Sequence, residues 1–305
     1  MSKTAFVFPG QGSQMVGMGR DLFENSTEAR EVFEEADETL GFPLSRLCFN
    51  GPEDKLRQTI YAQPAIMTVS LACLRAVFGK EAKIRPTFVA GHSLGEYTSL
   101  VASGALEFRE ALLLVQERAR LMQEASRRKP GGMAAIIGLD AITLEEICQE
   151  TGTQIANINS PDQIVISGTN NGLAWAMDLA RARGAKRVIR LEVSGAFHSP
   201  LMKPAAEGLA KYISQFNFNH PVSPIVANYS GRPEFTAEEV KEGLLRQLCS
   251  PVQWQASVEY MIGTGVSTFV ELGPKRVLSS LIKRINKDVQ VVNVSDIESA
   301  SSLNL

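Results

Sequence analysis

The sequence predicts an α/β fold, with a larger body on a mostly parallel sheet and a small inserted unit of βαββαβ order. Three observations carry this. Short apolar strands alternate with amphipathic helices at both ends of the chain, as helices covering a parallel sheet require. A glycine-flanked serine, Gly91-His92-Ser93-Leu94-Gly95, falls between one such strand and the helix after it. Between about Pro130 and Val193 the elements shorten and the rhythm changes. A chain of 305 residues also exceeds the roughly 150 of an ordinary domain, leaving room for both body and insert.

Thr4 to Phe8 is a β-rich apolar run, ended by the loop Pro9-Gly10-Gln11-Gly12-Ser13. Apolar residues recur at three and four from Thr27 to Leu40 and from Ala65 to Val77, the spacing of a helix face, with Gln63-Pro64 introducing the second helix. Phe88 to Gly91 is the next strand and feeds a helix that stops near Gly104, followed by a helix over Phe108 to Glu124. In the insert, Met133 to Gly138 reads as strand and Thr143 to Glu150 as a helix opened by a Thr143/Glu146 capping box. Gln154 to Ile158 and Ile164 to Gly168 are strands, Leu173 to Arg183 is a helix closed by Gly184, and Lys186 to Leu191 is the last strand. That order is ferredoxin-like. The expected boundaries are 1–128 and 195–305 for the body and 129–194 for the insert. The body resumes with a helix after Pro200, a strand at Ile225 to Asn228, a helix at Val240 to Leu248, a strand at Thr268 to Leu272, and a closing helix and strand.

Composition excludes several classes. With 31 basic and 33 acidic residues the formal charge is −2, so nothing draws the whole chain to nucleic acid or an anionic membrane. The longest uninterrupted apolar runs, such as Ala134 to Leu139, are strand-sized, and no membrane span is expected. Met1-Ser2-Lys3 opens straight into a strand without a leader pattern, so a cytoplasmic location is expected. Cys48, Cys73, Cys148 and Cys249 are too scattered for a disulfide framework, and the three histidines stand at no metal-ligand spacing, so neither disulfide nor metal is expected.

The chemistry gathers at Ser93. A G-x-S-x-G pattern between strand and helix is the nucleophile turn of hydrolase-like α/β bodies, and the helix N-terminus beside it offers N–H groups to a developing oxyanion. A serine hydroxyl needs a base within hydrogen-bond reach. His92 adjoins the nucleophile and points away from it, and is read as buttressing the turn. His220 lies in a plain connection, Asn217 to Pro221. His198 remains, on a strand-to-helix loop where α/β folds place catalytic groups. On the helix from Phe108, Arg118 falls inside the apolar arc between Leu114 and Ala111, where a permanent charge demands an anion. Either an internal Asp or Glu or a ligand carboxylate would supply it.

Taken together, the residues resemble the malonyl-CoA:acyl carrier protein transacylases of fatty acid synthesis and the related acyltransferase domains of polyketide synthases. The markers span the chain: Phe8-Pro9-Gly10-Gln11-Gly12-Ser13-Gln14, Gln63-Pro64-Ala65, Gly91-His92-Ser93-Leu94-Gly95-Glu96, Gln116-Glu117-Arg118, Gly195-Ala196-Phe197-His198 and Arg246-Gln247-Leu248 before Pro251-Val252-Gln253-Trp254. The resemblance implies Ser93 as nucleophile and His198 as general base and then acid. It further implies an oxyanion hole from the N–H groups of Gln11 and Leu94, and a main-chain carbonyl near Gln247 that orients His198. Arg118 would meet the malonyl carboxylate, with Gln63, Phe197 and His92 also beside the substrate. Ala196-Phe197-His198 is the form that accompanies malonyl rather than methylmalonyl use, the ring filling the space of an α-methyl group. The implied partners are malonyl-CoA and acyl carrier protein, with no cofactor and a monomeric chain. A serine acyl hydrolase or thioesterase with the same Ser93 and His198, or a discrete acyltransferase serving a polyketide synthase, is the alternative.

Overall fold

The structure is a computed structural model that describes residues 3–79 and 85–303; the chain ends of the expected body, Met1-Ser2 and Asn304-Leu305, lie outside the described residues. The first part of the body runs β1 (Lys3–Phe8), α1 (Arg20–Asn25), α2 (Thr27–Leu40), α3 (Leu44–Asn50), α4 (Glu53–Leu56), α5 (Thr59–Phe78), β2 (Phe88–Gly91), α6 (Leu94–Ala102) and α7 (Phe108–Arg128). Then come β3 (Gly131–Ile137), α8 (Ala141–Thr151), β4 (Gln154–Ser160), β5 (Gln163–Thr169), α9 (Asn170–Ala182) and β6 (Arg187–Arg190). After a 3-10 turn at Pro200–Met202 the chain continues through α10 (Lys203–Ile213), β7 (Ile225–Val226), β8 (Pro233–Glu234), α11 (Ala237–Gln247), α12 (Trp254–Gly263), β9 (Val266–Leu272), α13 (Val277–Ile285), β10 (Gln290–Val294) and α14 (Ile297–Ser301).

The larger sheet has the order β10-β9-β1-β2-β7-β8 and is parallel except for the β7–β8 pair. Side chains alternate across it, as a strand's period of two dictates. Phe6, Phe8 and Val89 join one core with α2, α5 and α7, while Ala5, Val7, Phe88 and Ala90 join a second with Trp254, Val258, Leu278 and Ile282. Both faces are therefore covered, and the strands read as continuous apolar runs. The smaller sheet, β4-β5-β3-β6, is antiparallel throughout. Its Ala134, Ile136, Ile164 and Ile166 pack under α8 and α9, while Met133, Ala135 and Val165 pack into the main core. That second contact seals the small sheet to the body and makes the cleft between them.

Several boundaries differ from expectation. Helix α5 begins at Thr59 rather than Ala65, with Pro64 inside it. Every residue from Ala62 to Cys73 is buried, and that burial overrides the preference of proline for a helix start. The same helix is long and apolar enough to cross a membrane, yet most of it is buried inside the fold. Counting uninterrupted apolar runs passed over it because Thr59, Gln63, Thr68 and Ser70 interrupt the sequence. The cap of α8 is Asp140, whose carboxylate accepts from the Thr143 N–H at 2.9 Å, so Thr143 is the third helical residue and not the cap. Helix α7 runs four residues past Glu124, to Arg128. The short helices α1, α3, α4 and α14 carry too few residues to show a period.

Candidate active site

Strands β1 and β2 are neighbours in parallel register, Phe8 opposite Gly91, so the loops that follow them leave side by side at the carboxyl end of the sheet. The glycines there are required by contact. A Cβ at Gly91 would lie 1.9 Å from the Gly95 carbonyl carbon, and one at Gly95 would lie 2.0 Å from the Phe8 oxygen. One at Gly10 would lie 2.3 Å from the His92 oxygen. Only a turn without side chains at these three places brings both loops together.

Ser93 sits at φ 53°, ψ −101°, a strained conformation for a residue with a Cβ. Three hydrogen bonds hold it. Its N–H donates to Asn228 Oδ1 at 2.6 Å, Gln247 Nε2 donates to its carbonyl at 2.9 Å, and Asn228 Nδ2 donates to the Gly91 carbonyl at 2.6 Å. Asn228 is in turn fixed by its own N–H, which donates to Glu96 Oε2 at 2.7 Å. Burial pushes the Glu96 carboxyl up to about 7, against the pull of these hydrogen bonds and of Arg118.

The Ser93 hydroxyl lies 2.8 Å from His198 Nε2, and His198 Nδ1 lies 3.0 Å from the Gln247 carbonyl oxygen. A carbonyl only accepts, so Nδ1 carries the hydrogen and Nε2 is left to accept from the serine. Burial, followed by the positive charge of Arg118, pushes the His198 imidazole down to about 3. It is therefore neutral at any ordinary working pH, with Nε2 open to accept the serine proton.

Arg118, 1% exposed, is the third part. Its NH1 donates to Gln63 Oε1 at 2.6 Å, and its NH2 to Gln247 Oε1 at 3.0 Å and to Ser93 Oγ at 3.1 Å. The guanidinium stands 5.0 Å over the Tyr97 ring, and its Nε has no hydrogen-bond partner. Its close partners are neutral amides and a hydroxyl; Glu96 acts on it only as a more distant charge. Of the two anions that the helix pattern left open, the internal ion pair is missing among the described residues.

Ser93, His198, Arg118, Gln63 and Gln247 thus form one hydrogen-bonded cluster. Gln11 joins it through Thr59, whose hydroxyl donates to Gln11 Oε1 at 2.9 Å. Leu94 is the first residue of α6, so its N–H has no acceptor within the helix. Phe197 is buried in the main core next to His198. His92 faces the small sheet, its Nε2 2.9 Å from Asn159 Oδ1 and its ring against Trp254. His220 is away from the cluster and accepts the Ala237 N–H at the start of α11. A cleft of about 530 Å³ has His198 in its wall, with Cys148, Gln149 and Thr153 on the small-sheet side and Pro200, Cys249 and Pro251 on the other. Asn228, Thr59 and Glu96 are absent from the sequence-derived site. Asn228 had one available signal, its place at the carboxyl end of a strand beside the nucleophile strand.

A pH dependence follows. If acylation uses neutral His198, kcat/KM should hold its value well below 6.5, the ordinary histidine range, with the His198 limb falling only toward about 3. The folded value lies below the unfolded one, so the stability contributed by neutral His198 is present above 6.5 and is lost as pH falls toward about 3. Glu96 has the opposite sign, favouring the fold below its ordinary 4.5 and losing that contribution as pH rises through about 7. A pH–rate profile of wild type beside Glu96→Gln separates them: a limb near 6.5 that survives in Glu96→Gln contradicts the buried-base assignment.

A half-buried serine bonded to a buried histidine, and an arginine awaiting an anion, set at a strand-to-helix turn of an α/β fold, define an enzyme of the acyl-transfer class. The chain belongs to the acyl transferase domain family, whose model matches residues 5–304. It is 48% identical over 303 residues to the malonyl CoA-acyl carrier protein transacylase of Bacillus subtilis (strain 168), covering 98% of this chain and 95% of that one. The protein of the same name from Staphylococcus aureus (strain MW2) is 42% identical over 309 residues, covering 100% and 99%. Among solved structures, the malonyl CoA-acyl carrier protein transacylase of Coxiella burnetii superposes with a TM-score of 0.95 at 38% identity, covering 99% of this chain and 96% of that one. A malonyl-transacylase solved in complex with a type II polyketide synthase acyl-carrier protein superposes with a TM-score of 0.95 at 40% identity, covering 99% and 98%.

Proposed function

We propose that the chain transfers a malonyl group from CoA to the phosphopantetheine thiol of an acyl carrier protein, through a malonyl ester on Ser93. The carrying observation is Arg118: a buried guanidinium with an unpartnered Nε, one hydrogen bond from the nucleophile, is built for an acyl group that ends in a carboxylate. His198 Nε2 takes the Ser93 proton as Oγ attacks the thioester carbonyl. The N–H groups of Gln11 and Leu94 receive the oxyanion, since the Ser93 N–H is already committed to Asn228. Collapse expels the CoA thiolate, which takes the proton from His198. The incoming thiol then gives its proton to His198, its sulfur attacks the ester carbonyl, and Ser93 Oγ recovers the proton as it leaves. This is ping-pong chemistry.

The Gln247 carbonyl orients His198 in place of a third catalytic side chain. Phe197, buried beside the base, supports malonyl over its α-methyl analogue, while Gln63 stands at the acyl end through Arg118, and His92, bonded to Asn159, backs the turn behind the thioester end. No step needs a cofactor, and all these groups come from one chain, which fits action as a monomer. Residues 1–128 and 195–305 act as the catalytic body; 129–194 act as a small insert whose strand order supports a ferredoxin-like unit. A cytoplasmic location goes with this role in fatty acid synthesis.

The test is a paired assay with malonyl-CoA and phosphopantetheinylated carrier protein, counting malonyl on the carrier against free malonate. Malonyl-carrier should dominate. Free malonate in excess would make the chain a hydrolase, and no acylation at all would remove both.

A further inference from the structure

The hydrogen bonds around Thr59 join two parts of the site that have separate jobs. Its hydroxyl is buried, 1% exposed, at the first turn of α5, and it caps nothing there: the residue before it, Gln58, is the helix cap and uses no side chain. The hydroxyl donates to Gln11 Oε1 at 2.9 Å and accepts from Gln63 Nε2 at 2.8 Å. Gln63 then presents its Oε1 to Arg118 NH1 at 2.6 Å. From Arg118 to Gln11 the chain of donors and acceptors is continuous.

Resting on the transferase function proposed above, we infer that Thr59 is a positioning residue that couples carboxylate recognition at Arg118 to the oxyanion loop at Gln11. A hydroxyl has one hydrogen, and here it is spent on Gln11. Thr59 can therefore only accept from Gln63, which forces the Gln63 amide to turn its nitrogen toward Thr59 and its oxygen toward Arg118. Without the hydroxyl, the other partner of Nε2 among the described residues is the Met122 sulfur at 3.4 Å, a weak acceptor. The amide is then held from one side only, by Arg118 NH1 on Oε1, and its NH2 is left without a good acceptor, so the grip of Gln63 on the guanidinium slackens. At the other end Gln11 loses the side-chain hydrogen bond that anchors it among the described residues, and the loop carrying its N–H loosens. One hydroxyl thus sets the amide polarity at the carboxylate end and the loop position at the thioester end.

The experiment compares Thr59→Val, which keeps shape and loses the hydroxyl, with Thr59→Ser, which keeps the hydroxyl. Acylation of the enzyme by malonyl-CoA and by acetyl-CoA is followed by rapid-quench mass spectrometry, alongside Tm. Thr59→Val should acylate with malonyl about 10- to 100-fold more slowly, the range for a buried polar group left unpaired. Its malonyl-to-acetyl ratio should fall, because only malonyl uses Arg118, and Thr59→Ser should recover most of the loss. Thr59→Ala supplies a second hydroxyl-free variant should the valine protein fail to fold. Malonyl acylation by the hydroxyl-free variant within about 3-fold of wild type, an unchanged malonyl-to-acetyl ratio, or equal impairment of the serine variant would each overturn the coupling. Absence of malonyl on Ser93 in wild type would instead refute the transferase function itself.

Discussion

Ser93→Ala should lower malonyl transfer by a factor on the order of 10⁴ to 10⁶, the scale on which removing an activated serine acts. After incubation with malonyl-CoA, the wild-type peptide containing residue 93 should gain a malonyl mass and the variant peptide none. The fold should persist, because the bonds that hold this turn go to the main chain of residues 91 and 93, not to the hydroxyl. Malonyl on another residue, or undiminished transfer by a folded variant, would remove Ser93 as the nucleophile and with it the two-step scheme.

Arg118→Ala should separate substrates rather than abolish activity. Truncating one partner of a buried charge pair costs about 2 to 5 kcal/mol, which is roughly 30- to 4,000-fold at a factor of ten per 1.4 kcal/mol. That loss should fall on kcat/KM for malonyl-CoA. Acetyl-CoA, with no carboxylate to pair, should lose far less and has room to gain, since the guanidinium is no longer left buried and unmatched. Relief of the Arg118 charge should also let His198 titrate higher, because that charge is the second cause holding the imidazole down. Equal losses for both substrates in steady-state assays would make Arg118 a structural residue.

The parts of this site differ in how visibly they are written in the chain. Arg118 is legible because a helix face is periodic, and a permanent charge inside an apolar arc violates the pattern over a whole 21-residue helix. Ser93 is legible because the turn tolerates nothing but glycine at Gly91 and Gly95, which leaves a fixed spacing. The tautomer of His198 is not legible, since it depends on a carbonyl 49 residues away. Asn228 and Thr59 are invisible for another reason. A polar residue in a buried element breaks no rule until its partners are known, and those lie 135 and 48 residues distant. Local signals also mislead where burial outweighs them, as at Pro64, or where two candidate caps stand three residues apart, as with Asp140 and Thr143.

Gln247 contributes its carbonyl to His198 and its amide to both Ser93 and Arg118, from the last residue of α11. Ser93 and Gln247 are 154 residues apart, so the nucleophile is translated long before the group that completes it. At about 5 to 20 residues per second, a 154-residue gap leaves roughly 8 to 31 s of synthesis during which strand, turn and serine exist without Gln247. A nascent chain on the ribosome is consequently a poor acyltransferase. A product truncated before α11 lacks both the carbonyl that orients His198 and the amide that holds Ser93 and Arg118, and should not acylate.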